Sequence, residues 1–360
     1  MNKLHLYSDQ TLKLLRAKQD PLADRAVSVL LSDPNWAGEI NQWKVLPGSL
    51  PPGMPVALAD FFEFYYHSLG NPEPEKMLRA RYFFEKKAKV YLSLLGFYAL
   101  PYTYAFADGA QVLVRSKRIV EDTGRRLDET FYFVLEAFRP AAFLEQNETL
   151  LTAAKVRLIH AFSRYFVQKH AKDWDPAWGL PINQEDLLGT NLAFSLIVLR
   201  GFSKLGLAPC SEDVEAILYY WKYIGMANGV DTRYWPDNAK QAYWLEKRIR
   251  ERHVRPSEAG RLLTRKLLAF YQHSLPNRLP RQVIDGIVAY FLGPQLSDAV
   301  GISSRVPIPD LVYGFIFNSN FFGPSGDLDT YAGMRRFFDA QTTKKYGQPL
   351  GLTIPELRMG

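Results

Sequence analysis

The sequence predicts an all-α protein, one large helical domain with globin-like or bundle packing. Three observations carry this reading. Apolar residues recur at helical spacing almost throughout, and strand signatures are scarce. The 360 residues are 47% hydrophobic and 14% aromatic, enough to fill a sizeable core.

Taken in order, the spacing predicts helices over about 8–31, 56–69, 74–99, 113–142, 146–170, 183–206, 211–227, 237–251, 256–274, 279–292, 307–317 and 327–345. Asn183 with Asp186 has the chemistry of a helix start, as does Ser211 followed by two acids. "PGSLPPGMP" (47–55) and "GVDTRYWPDN" (229–238) are irregular connections, and the chain from Gly347 onward is expected to be loosely ordered. The uncharged stretch Val90–Ala107 contains Pro101, four tyrosines and two hydroxyl residues, which suits a buried, Pro-broken helix better than a membrane span. The expected division is residues 1–74 as a helical extension and linker, 75–345 as the main domain and 346–360 as a tail.

Charge and cysteine content narrow the setting. The net +7 is spread over 44 basic and 37 acidic residues. In the densest patch, "EKRIRERHVRPSEAGRLLTRK" (246–266), acids alternate with bases, as on a solvated helix laced with ion pairs. A nucleic-acid footprint would be a purer basic stripe, so no nucleic-acid partner is expected. The single Cys210 excludes an intrachain disulfide and reads as an inert thiol at a helix start. The N-terminus shows no signal peptide, so a cytoplasmic protein is expected, without a transmembrane span but able to touch membranes.

Familiar catalytic signatures are absent: no Gly-rich phosphate loop, no His-Glu-x-x-His, no paired CxxC, no Gly-x-Ser-x-Gly. "EDTGRRLDE" (121–129) is the nearest approach to a diphosphate-binding acid cluster, but two arginines interrupt it. In "TGRRLDETFYFVLEAF" (123–138), Arg126 and Thr130 share a helical face with Phe133, Val134 and Ala137. They either cap a helix end or point into a cavity that needs polar groups. Among six histidines, His160 lies in the helix "AAKVRLIHAFSRYFVQKH" (153–170). It is a core histidine with a local acceptor or a metal ligand. Arg157 and Arg164 stand one turn either side, where the propionates of a haem could pair with them.

"RRLDET", then "VRLIHAFSRYF", then "INQEDLLGTNLAFS" together resemble the haem-containing oxygenases typified by latex clearing protein and the mycophenolic-acid-pathway oxygenase. The likeness runs from roughly residue 75 to 300, with "YYWKYIGMANGVD" (219–231) fitting it. The resemblance implies a haem b pocket, with His160 as axial iron ligand and Arg126 and Thr130 on the oxygen-binding side. It also implies O2-dependent cleavage or oxidation of a C=C bond in an apolar isoprenoid-like or lipid substrate. The family can carry a lysine directly before the threonine. Here Glu129 stands there, either as a base toward an allylic proton or turned outward to pair with Arg125 or Arg126. Asn183, Gln184 and Thr190 either support the pocket or cap a helix, while Tyr219 and Trp221 read as core. A haem or lipid carrier without catalysis is the competing reading.

Overall fold

The computed structural model describes residues 3–116, 122–143, 147–274, 280–303 and 330–357. Within them the regular elements are helical, and an isolated antiparallel bridge pairs Phe106 with Val254. The helices are α1 (Asp9–Leu15), α2 (Pro21–Ser32), α3 (Asn35–Gln42), α4 (Val56–His67), α5 (Pro74–Leu94), α6 (Leu100–Tyr104), α7 (Ala107–Arg115) and α8 (Thr123–Ala137). They continue with α9 (Asn147–His170), α10 (Gln184–Leu192), α11 (Val198–Lys204), α12 (Ser211–Ala227), α13 (Ala239–His253), α14 (Glu258–Ser274), α15 (Arg281–Ala299) and α16 (Tyr331–Tyr346). The helix expected at 307–317 lies outside the described residues.

Several elements depart from the sequence expectation for local reasons. The segment 8–31 is two helices, because Asp20 caps a new start and Pro21, at the first helical position, fits only there. Helix α3 was not expected. Among the described residues the expected helix 113–142 falls into two elements, α7 and α8, with Asp122 accepting from the Arg125 amide at the second start. Pro101 does not break its helix. A π-helical turn over Leu95–Ala99 precedes it and carries the chain into α6, which accommodates a residue without an N–H. A second π turn, Ala193–Ile197, joins α10 to α11.

Two hydrophobic cores organise the molecule. The larger gathers α5 to α8 and α10 to α15, with Trp221, Trp235, Phe84 and Phe138 fully or almost fully buried. The smaller is made by α2, α3 and α4 against α9, with Phe61, Phe62, Leu158 and Phe162 at its centre. The residues expected to form an N-terminal extension thus share a core with the helix that carries His160. Helix α9 runs between the two. Leu151, Ala154, Leu158 and Phe162, at helical spacing, face the smaller core. Leu151, Leu158 and Phe162 each stabilise by roughly 1.5–3 kcal/mol on burial. Among the described residues, no helix is long and apolar enough to cross a membrane.

Candidate active site

The other face of α9 meets α6, α7, α8, α10 and α13 around an internal cavity of about 210 Å³. Its wall is mainly apolar, with Leu100, Tyr104, Val112, Leu127, Leu187, Phe194 and Ile249, and it includes His160, Arg126 and Thr130. Residues thirty or more positions apart therefore share one chamber. The Thr130 hydroxyl donates to the Arg126 carbonyl at 2.9 Å, leaving its oxygen lone pairs as acceptors.

His160 has no local acceptor of the kind that satisfies a core histidine. Its Nδ1 is buried without a hydrogen-bond partner among the described residues. Burial, then the cations of Arg126 and Arg164, press its pKa down to about 3, so the ring is neutral. A buried imidazole nitrogen left unmatched is unusual, since buried polar atoms are normally paired.

Glu129 is buried but lies outside the cavity wall. It accepts from Arg126 Nη1 at 3.3 Å and stands 3.6 Å from Arg125 Nε. It pairs with both arginines but is buried, not turned outward.

Arg157 and Arg164 turn away from the cavity onto α2. Arg157 forms a two-point ion pair with Asp20 and sits over the Phe64 ring, while Arg164 pairs with Asp24 at 2.6 Å. Asp20 and Asp24 are one turn apart on α2 and match two arginines two turns apart on α9, so the four charges fasten one helix to the other. Each guanidinium is held by a carboxylate at α2, and neither lines the cavity. Gly229 seals this joint: it has φ +84°, and a Cβ there would lie 2.2 Å from Asp20 Oδ2.

Asn183 caps α10, its Oδ1 accepting from the Asp186 amide. Gln184 ties three chain segments, donating to the Gln19 and Gly229 carbonyls and accepting from the Asp231 amide. Of that group only Thr190 reaches the cavity. Trp221 donates to the Tyr91 hydroxyl within the core, and the Tyr219 hydroxyl accepts from the Glu73 amide.

Sequence reasoning missed a second polar part of the wall: Glu185, Asp186 and His253. His253 Nδ1 is 3.2 Å from Asp108 Oδ2, and its Nε2 is 3.0 Å from Glu185 Oε2. Arg16 adds contacts to Asp108, Glu185 and Asp186. The two carboxylates favour a charged imidazolium despite burial, and the His253 pKa is raised. The 246–266 stretch is thus no solvated helix face throughout. Glu246 and His253 are buried, and Glu246 takes hydrogen bonds from Tyr102, Arg200 and Arg250. The alternation of signs was visible in the sequence, but nothing there distinguished internal pairs from surface ones.

A wider groove of about 880 Å³ adjoins the chamber and shares Ser116, Ile159 and Ser163 with it. Phe162, Phe166, Val167, Ala259 and Leu262 line it, together with the charged Arg115, Asp173, Glu258 and Arg265.

Fold and site together define an all-helical scaffold that keeps a neutral, unpartnered histidine at the wall of a mainly apolar chamber. Residues 94 to 312 match the family model described as ER-bound oxygenase mpaB/B'/Rubber oxygenase, catalytic domain. The chain belongs to this oxygenase family. It is similar to the rubber oxygenase of Streptomyces sp. (strain K30), 24% identical over 288 residues, covering 76% of this chain and 67% of that protein. The fold matches that of latex clearing protein LCP in its closed state, with a TM-score of 0.72 at 22% identity, over 90% of this chain and 91% of the other.

Proposed function

We propose that this chain is a haem b-dependent oxygenase that uses O2 to cleave or oxidise a C=C bond of an apolar isoprenoid-like or lipid substrate, with His160 as the iron's axial ligand. The observation that carries this reading is the His160 ring itself: neutral, at a cavity wall, with a buried nitrogen that has no partner among the described residues. Iron takes a neutral imidazole, and burial and neighbouring cations have already removed the competing proton. Among the described residues no cluster of three or more His, Cys, Asp or Glu is arranged to hold a bare metal ion. A lone imidazole suits an iron whose remaining ligands come from a porphyrin. When bound, the haem supplies the oxygen chemistry, and the protein supplies ligand, orientation and environment.

The chain's own groups divide the remaining work. Arg126 brings cationic N–H donors to a low-dielectric chamber, where they stabilise negative charge that develops during reaction. Thr130 offers acceptor lone pairs beside it. Glu129 is a positioning residue in this reading, holding Arg126 through the 3.3 Å contact. The apolar wall excludes water, and the outer groove gives an apolar molecule its way in. A cytoplasmic setting, with O2 and an apolar small molecule as partners and no nucleic acid, belongs to the same reading.

The test is an absorption spectrum with pyridine-haemochrome quantitation, on protein produced with adequate iron. Wild type should carry a strong Soret band, and His160→Ala should lose most of it. Undiminished haem in that variant overturns the axial assignment. Exposing reduced holoprotein to O2 and an alkene then separates enzyme from carrier: carbonyl products mark the first, a stable product-free complex the second.

A further inference from the structure

Several buried tyrosines of this protein bond their hydroxyl to the chain itself. Tyr65, Tyr91 and Tyr220 donate to carbonyls, and Tyr102 donates to Glu246. Tyr104 does not. It is 1% exposed, and its hydroxyl is buried without a hydrogen-bond partner among the described residues. A buried polar atom left so is unfavourable unless something else meets it. Tyr7 and Tyr271 share this lack, but neither lines the chamber.

The placement of Tyr104 follows from its helix. Leu100, Thr103 and Tyr104 stand at helical spacing on α6, and all three line the chamber. Arg126 lines it too, and its cation acts on the Tyr104 hydroxyl, opposing the effect of burial. Burial prevails and raises the pKa of the phenol, so it keeps its proton. The carboxylates of Glu185 and Asp186, in the same wall, do not reach it. Gly260 lets α14 pass so near the Tyr104 carbonyl oxygen that a Cβ would lie 2.3 Å from it, which fixes the backbone carrying the ring. The other hydroxyls of the wall are differently engaged. Thr103, Ser116, Thr130 and Ser163 each donate to a carbonyl three or four residues back, and Thr190 is exposed. Tyr104 is thus a fixed, neutral, buried donor near a cationic one.

We infer that Tyr104 is a further catalytic residue, its hydroxyl donating a hydrogen bond, together with Arg126, to an oxygen atom of the molecule held in the chamber. The inference rests on the haem oxygenase reading, in which that oxygen comes from O2. No proton is transferred: the phenol stays intact, and its bond strengthens as negative charge develops on the oxygen. A neutral donor adds this without burying a second charge.

The probe is carbon monoxide on reduced holoprotein, because a donor that meets the bound diatomic lowers its C–O stretching frequency. Tyr104→Phe keeps the ring and removes only the hydroxyl. It should raise that frequency and speed O2 release by roughly two- to tenfold, the scale of one hydrogen bond. Tyr271→Phe removes an equally unpartnered hydroxyl outside the chamber and should change neither. Urea unfolding of haem-free protein adds a readout that a structural role would move, and here Tyr104→Phe should equal or exceed wild type. A lower midpoint with an unchanged C–O stretch would show that the hydroxyl serves the fold, and overturns the inference. An unchanged stretch with unchanged O2 release overturns it as well. A missing Soret band removes the haem reading and this inference together, whereas a Soret band without the shift removes this inference alone.

Discussion

Asp20 holds Arg157 through two parallel contacts, Nε to Oδ2 at 2.6 Å and Nη2 to Oδ1 at 2.8 Å, both partners buried. Asp20 also caps α2, so a single carboxylate starts one helix and anchors the helix that carries His160. Breaking such a pair leaves an uncompensated buried charge. Asp20→Ala should destabilise the protein by about 3–5 kcal/mol in chemical denaturation. Haem content per folded molecule should stay near wild type. A variant of normal stability with depleted haem would return Arg157 to the cofactor.

The His160 ring makes stability depend on pH. Its pKa falls from an ordinary 6.5 to about 3 on folding, so between these values the unfolded chain binds the extra proton. Stability is therefore fully present above about pH 6.5 and declines as pH falls through the window, by at most about 1.4 kcal/mol per pH unit. Haem-free wild type and His160→Gln, unfolded in urea between pH 7 and 5, should diverge, with the variant losing less on acidification. Parallel curves would mean that the ring protonates in the folded state as freely as in water.

Arg126 and Glu129 are neighbours with different duties. Arg126→Ala should keep most of the haem while O2-dependent turnover drops by roughly a hundredfold, the scale expected for loss of a preorganised donor. Glu129→Gln leaves Arg126 in the chamber wall and should lower turnover by only about tenfold, or less, a value set against that same scale. A larger loss for Glu129→Gln than for Arg126→Ala would make the carboxylate a direct participant.

Gly260 is where α14 passes the cavity-lining residue Tyr104. A Cβ at this position would lie 2.3 Å from the Tyr104 carbonyl oxygen, a backbone atom that cannot swing aside. Gly260→Ala should cost at least the roughly 1–3 kcal/mol typical of overpacking. Thermal unfolding measures this directly, and an unchanged midpoint would show that α14 can shift without penalty.

The all-α class was legible because helical periodicity is a local property, repeated in nearly every segment. His160, Arg126 and Thr130 were legible as a set through their ordered spacing, and the structure brings all three to one chamber. Their roles toward haem are the part that spectra must decide. Arg157 and Arg164 show what pattern does not reveal. Their positions flanking His160 were visible, but Asp20 and Asp24, which hold them, lie more than 130 residues earlier.

His253 shows the same limit in reverse. In the sequence it is one cation in a stretch of alternating charges. Only the fold places Asp108, from α7, and Glu185, from α10, on its two ring nitrogens. The sequence by itself determined the helices and the face on which the candidate ligand stands, since both follow from residues within a few turns of each other. Which charges are buried and which are paired only the tertiary structure decided. Those outcomes depend on partners that chain separation hides and packing selects.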